Sequence, residues 1–222
     1  RRLCPDAVIV PPRFDRYLDV SRTVMEVFAT FSPEVEALSL DEAFLDMTGS
    51  EQLFGEPEAI GHQLKDAVSE ATGGLTVSVG LSSTKYVAKV ASGYRKPNGL
   101  TVVPPEQAKA WLATLPVSCL WGAGPKTQAR LHHLGMRTIG AVASATTIFL
   151  LDKLGKAGLH FHALAHAEDP RAVTGDRAGK SIGSEHTLNT DISDADEIKH
   201  HLLRSAETIG RRLRKKGSLA FG

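Results

Sequence analysis

The stretch Leu38-Ser39-Leu40-Asp41-Glu42-Ala43-Phe44-Leu45-Asp46 sets two carboxylates side by side within an apolar run. A charge taken out of water must be paired or bound to a cation. In a regular strand neighbouring side chains point to opposite faces, so Asp41 and Glu42 converge only if the chain turns or bulges between its apolar arms. A hairpin with the acids at its bend would make one site. Mg²⁺ suits it, because this hard cation takes one or two carboxylates, keeps some waters and accepts substrate phosphates. Two such ions can activate an attacking hydroxyl and stabilise a leaving pyrophosphate. The alternative is a polar hairpin tip with solvated acids.

Two further motifs carry phosphate chemistry. Lys96 precedes Pro97-Asn98-Gly99, a stiff turn on which a lysine can serve as a point charge for phosphate or simply face solvent. In Leu120-Trp121-Gly122-Ala123-Gly124-Pro125-Lys126-Thr127, Gly122 and Gly124 permit a tight loop with positive φ, and Pro125 suits the first position of a helix. Free N–H groups at that helix start can grip a phosphate without reading bases, and Lys126 adds charge. The same turn could be a structural cap alone. His160, His162 and His166 lack a carboxylate or cysteine to complete a familiar ligand set, and are expected as solvated or partly buried histidines.

Elements must position these groups. Tyr17, Val20, Val24, Val27 and Phe28 share one face of a helix over residues 13–31, and Ile60, Leu64, Ala67 and Val68 stripe another over 57–72, ended by Gly73-Gly74. Leu75, Val77, Val79 and Leu81 alternate as a strand, a helix follows over 84–92, and 100–103 forms a short strand. This order predicts an α+β fold, with helices on one face of a mixed sheet. From Pro104 the pattern turns all-helical, with helices over 106–115, 126–134, 139–144 and 148–167, before a Gly- and charge-rich linker over 171–180. A last unit opens at Ser181 and holds a helix over 194–215.

The net charge of +1 announces no partner, but Arg204, Arg211, Arg212, Arg214, Lys215 and Lys216 crowd one end while acids gather between Glu34 and Glu58. Cys4 and Cys119 cannot build a disulfide framework or a four-thiolate zinc site; they are expected as buried small hydrophobes in a reducing cytoplasm. No signal peptide or membrane span is visible, which excludes a membrane partner from the reading. The chain opens on Arg1 rather than Met, and Leu219-Ala220-Phe221-Gly222 reads as the start of a strand. A piece of a longer protein is expected.

The run from Ser39 to Asp46 resembles the acidic palm motif of the Y-family DNA polymerases, of the DNA polymerase IV type. Val79 to Ser92 is similar to that family's palm strand and helix, Lys96 to Gly99 follows at family spacing, and Leu3-Cys4-Pro5 with Pro12 to Tyr17 matches its passage from fingers into palm. The glycine loop then resembles a helix-hairpin-helix in the family's thumb, and Lys180 to Thr187 the strand that opens its little finger. The resemblance implies the end of the fingers at 1–12, a catalytic palm at 13–103, a thumb at 104–170, a linker at 171–180 and the start of a little finger at 181–222. It implies translesion DNA synthesis, with Asp41 and Glu42 as catalytic metal ligands for two Mg²⁺ ions and Lys96 on the triphosphate of the incoming nucleotide. Gly122, Gly124 and Lys126 would lie on the DNA backbone. Primer-template DNA, dNTP and a sliding clamp are the implied partners of a cytoplasmic monomer. Many relatives carry Asp in the stretch before Lys96, where this chain has Gly93. The family's further metal carboxylate precedes the part matched here, so the chain by itself is expected to be inactive. A non-catalytic DNA-binding paralogue is the alternative; a two-metal nuclease fits the acids but not the later motifs.

Overall fold

The computed structural model describes residues 2–175, 181–217 and 219. The chain forms two compact units, Arg1–Gly175 and Asp176–Gly222. In the first, helix α1 (Phe14–Phe31) leads into strands β1 (Val35–Ala37) and β2 (Ala43–Leu45), a short helix α2 (Glu51–Phe54) and the long helix α3 (Pro57–Thr72). Strand β3 (Val79–Leu81), helix α4 (Lys85–Tyr94) and strand β4 (Leu100–Val102) complete the α+β part.

Helix α3 starts with Pro57 at its first position and stops where Gly73 adopts φ 71°, a left-handed cap that glycine takes without a steric cost. Its buried stripe is Ile60, Leu64 and Val68, of which Leu64 and Val68 meet Phe28 and Phe31 of α1 in a small core. Each such side chain contributes roughly 1.5–3 kcal/mol by leaving water.

Both antiparallel and parallel pairing occur, but among the described residues the strands divide into two pieces rather than one continuous sheet: β1–β2 antiparallel and β3–β4 parallel. The alternating run from Leu75 is ordered as strand only over Val79–Leu81, because β4 offers three residues to pair with. Gly80 lies against α4 so closely that a Cβ would stand 2.2 Å from the Ala88 carbonyl and 2.3 Å from the Ser92 nitrogen.

The helical part comprises α5 (Pro105–Ala113), a 3₁₀ turn at Val117–Cys119, α6 (Pro125–His133), α7 (Ile139–Ala143), α8 (Thr147–Leu154) and α9 (Lys156–Ala165). The single helix expected over 148–167 is thus two, broken where Gly155 adopts φ 63°. The larger core runs straight through the junction at 103–104: Tyr86, Val87 and Ala91 of α4 pack with Leu112, Leu131, Ile139, Leu150 and Phe161. The strand expected over 180–187 carries no regular structure in residues 181–187, while Lys180, with the rest of the linker residues 176–180, lies outside the described residues. The closing residues Ser218 and 220–222, read above as a strand start, also lie outside them. The second unit contains α10 (Ala195–Lys216), whose N-terminal N–H groups at Asp196 and Glu197 are capped by the Asp194 carboxylate.

Cys4 is exposed rather than buried, and only Cys119 is partly covered, with burial pushing its thiol pKa up. Among the described residues no helix is long and apolar enough to cross a membrane.

Because the atoms facing Gly80 are backbone and cannot rotate away, Gly80→Ala is expected to cost at least ~1–3 kcal/mol. A lowered urea midpoint with an unchanged slope would show it.

Candidate functional site

The β1–β2 register pairs Ala37 with Ala43, so residues 38–42 form the bend. Its closure is local: the Glu42 carbonyl accepts the N–H groups of Leu38 (2.8 Å) and Ser39 (3.2 Å). Asp41 and Glu42 therefore stand at the turn between the arms. The Ser39 hydroxyl donates to Asp41 Oδ1 at 2.6 Å and fixes that carboxylate. Leu38 and Leu40 are exposed at the bend, and Phe44 is the buried member of the following arm.

Helix α4 holds the hairpin through two lysines one turn apart, Lys85 and Lys89, a spacing that puts both on one helix face. Lys85 Nζ meets Glu36 Oε2 at 2.5 Å, both side chains being about nineteen-twentieths buried (5% and 6% exposed), and sits 4.9 Å from the Phe44 ring centroid. Lys89 Nζ bonds both oxygens of Glu42 at 2.9 Å. The hairpin is gripped on β1 and again at its turn.

The start of α4 is secured from far along the chain. Thr84 Oγ1 accepts the Val87 N–H, and the Asp169 carboxylate accepts the Tyr86 N–H at 3.0 Å. Arg171 donates to the same carboxylate at 2.6 and 2.8 Å and stacks 4.1 Å from the Trp121 ring centroid. Burial acts to raise the Asp169 pKa, but the hydrogen bonds from Arg171 and Tyr86 together hold it below the ordinary 3.8. Residues after Asp169 continue onto the hairpin, where the Thr174 N–H donates to Glu36 (3.0 Å) and the Gly175 N–H to Glu34 (3.3 Å). The first half of the expected linker is thus fastened down.

Trp121 is the meeting point. It touches Phe44 (centroids 5.8 Å apart), Lys89 (5.5 Å) and Arg171, at the start of the glycine loop. Only Gly122 takes a positive φ (94°); Gly124 has φ −67° and serves as the N-cap of α6, contrary to the expectation for both. A Cβ on Gly124 would meet nothing within 4 Å, so the protein's own packing does not demand glycine there. Lys126 is exposed in the first turn of α6, where N–H groups lack intrahelical partners. Between α4 and this loop runs a groove of ≈ 640 Å³, lined by Tyr86, Lys89, Tyr94, Trp121, Gly122 and Gly124 among others. Buried Tyr86 has its phenol pKa driven upward by desolvation and by Cys119.

Lys96 is exposed just past α4, beyond its C-cap Arg95 and seven residues after Lys89. Its loop is anchored by Lys65 Nζ on the Asn98 carbonyl (2.6 Å) and by the Gly99 N–H on Ser78 Oγ (3.2 Å). Lys96 is not among the residues that line the groove. The His162 and His166 rings lie tilted to one another with centroids 4.4 Å apart, and among the described residues no group of three or more His, Cys, Asp or Glu could hold a metal. The donors available to a cation at the bend are two hard carboxylates, a set that fits Mg²⁺ completing its shell with water and phosphate.

Glu36, Lys85, Lys89, Trp121, Asp169 and Arg171 were given no role by sequence reasoning. The pair of lysines four apart in an apolar helix was a usable signal; the partners of Asp169 were not.

This architecture has known counterparts. A Y-family DNA polymerase chimera superposes with a TM-score of 0.82 at 28% identity, over 95% of this chain and 61% of that one. The fold is that of the Y-family DNA polymerases. The impB/mucB/samB family matches residues 1–93, and its C-terminal domain matches residues 179–221. DNA polymerase IV of Caulobacter vibrioides is 39% identical over 216 residues, 97% of this chain and 54% of the relative. DNA polymerase IV of Desulfatibacillum aliphaticivorans is 41% identical over the same length and the same shares. The chain belongs to the impB/mucB/samB family, Y-family DNA polymerases of the DNA polymerase IV type. It spans 49% to 61% of the length of these and similar curated relatives.

The depressed Asp169 pKa sets a pH signature. Its carboxylate stabilises the fold above the unfolded-state pKa, and this contribution is lost as pH falls through the lower folded-state value. Asp169→Asn should therefore cost roughly 1–3 kcal/mol at neutral pH, with the gap to the parent closing below about pH 4. Urea melts across that range measure it.

Proposed function

We propose that this chain carries the catalytic palm (13–103) and thumb (104–170) of a template-directed translesion DNA polymerase, with the end of the fingers at 1–12 and a little finger beginning at 181, after the linker at 171–180. The observation that carries the reading is the acidic turn: two adjacent carboxylates at a bend that α4 clamps from β1 to the tip.

Asp41 and Glu42 would hold Mg²⁺. When bound, the ions supply Lewis-acid stabilisation to an attacking 3′-hydroxyl and a departing pyrophosphate. The chain's own residues do the positioning. Ser39 orients Asp41 through its hydroxyl, and the Lys85–Glu36 pair fixes the height of the hairpin against α4. Lys96, on its anchored loop, would take the triphosphate of the incoming nucleotide as a point charge. Gly124, the α6 N–H groups and Lys126 would bear on the DNA backbone without reading sequence. Primer-template DNA and dNTP are the substrates of this reading, met by a monomer in the cytoplasm.

In the protein that contains this chain, Asp41→Ala should lower Mg²⁺-dependent primer extension by more than about 100-fold and leave DNA affinity unchanged. Extension at the parental rate would reject the assignment. No extension by the parent itself, with salt-sensitive DNA binding intact, would favour a binding-only member of the family.

The loop makes a separate prediction. Gly124→Ala should leave thermal stability within about 0.5 kcal/mol, since its Cβ meets nothing, yet weaken DNA binding by blocking close approach. Lys126→Ala should weaken binding equally across sequences and reduce the salt slope by roughly 0.9. Fluorescence anisotropy at several salt concentrations reads both.

A further inference from the structure

The two carboxylates of the bend differ in their company. Among the described residues Asp41 receives a hydroxyl, a neutral donor, and no cation. Glu42 receives an ammonium on both oxygens, at 2.9 Å each. That ammonium has a second resting place: it lies 5.5 Å from the Trp121 ring centroid, and an aromatic face attracts a cation. The Lys89 and Glu42 side chains are 27% and 44% exposed, so the pair can open without unpacking the core.

An ordinary half-exposed ion pair contributes little to stability. Here its location matters more than its strength. A divalent ion using the Glu42 oxygens must displace Lys89, because two cations on one carboxylate repel each other.

We propose that Lys89 is a resident counter-cation of the acidic turn, holding Glu42 until a divalent ion displaces it towards Trp121; this rests on reading Asp41 and Glu42 as a cation site. Lys89 lines the groove together with Gly122 and Gly124. Filling the acidic turn therefore moves a positive charge off Glu42 and, within the groove, towards Trp121 and the glycine loop. Lys89 is a positioning residue in this scheme: it tunes when the turn accepts an ion and where the groove's charge sits.

The test is a titration of this chain with Tb³⁺, a hard oxygen-seeking probe, read by luminescence sensitised through tryptophan. Removing the competitor should tighten binding, so Lys89→Met and Lys89→Gln should each bind Tb³⁺ roughly 3–10-fold more tightly than the parent. Lys89→Arg should stay near the parent. Thermal melts identify any variant that fails to fold, and the two neutral variants back one another. The midpoint, not the amplitude, is compared, since Lys89 also touches the sensitising ring. Unchanged or weaker binding by both neutral variants, with emission still abolished in D41N/E42Q, overturns the role of Lys89 and leaves the cation site standing. Emission that survives D41N/E42Q removes the site and this proposal together.

Discussion

The buried ion pair between Lys85 and Glu36 is the constraint on which the rest of the first unit depends. Taking both charges out of water is costly, and it is tolerated only with close geometry and further hydrogen bonds. The structure supplies them: Glu36 also accepts the Thr174 N–H, and Lys85 also donates to the Ala172 carbonyl at 3.3 Å. Three segments far apart in sequence thus share one charged contact. A pair with these requirements has few alternative arrangements, so it fixes the hairpin on α4. The acidic turn, Lys89 and the groove follow from that placement.

Around this fixed point the site is built in layers of decreasing burial. Glu36 and Lys85 are inside, Phe44 lies against Lys85 and Trp121 against Phe44, and Glu42 and Lys89 reach solvent. The gradient suits a polar site whose outermost charges must exchange partners while the inner ones stay still. Gly80 contributes by letting the β3 backbone lie directly against α4, which leaves that helix little room to slide.

What could be read in the sequence was what short-range chemistry encodes. Pro57 and Gly73 delimit α3 through local backbone preference, so its ends were legible to the residue. The bend at Asp41 and Glu42 followed from the cost of placing adjacent charges in an apolar run. The break at Gly155 was harder, because Ile148 to Ala167 keeps enough apolar residues to read as one helix and only the local φ divides it. The strand from Leu75 looked longer than it is because alternation describes a strand's own faces, not the length of its partner. The contacts of Asp169 and Thr174 bridge 83 and 138 residues, and no local pattern announces such pairings.

Those long bridges bear on how the chain is assembled. Helix α4 is made early, yet the carboxylate that caps its start belongs to a residue 83 positions later. During synthesis from the N-terminus, α4 and the hairpin emerge before the five helices that separate them from Asp169. The helical part is therefore a closed excursion, leaving the α+β part at β4 and returning to it at the β1–β2 hairpin through Thr174 and Gly175. Until that return is made, the acidic turn rests on incomplete supports. Contacts of such sequence separation form late, because the loop entropy must be lost before they reward it. A nascent chain of this kind carries Asp41 and Glu42 long before it can hold them still, and the turn gains its full support only as the helical part closes the circuit.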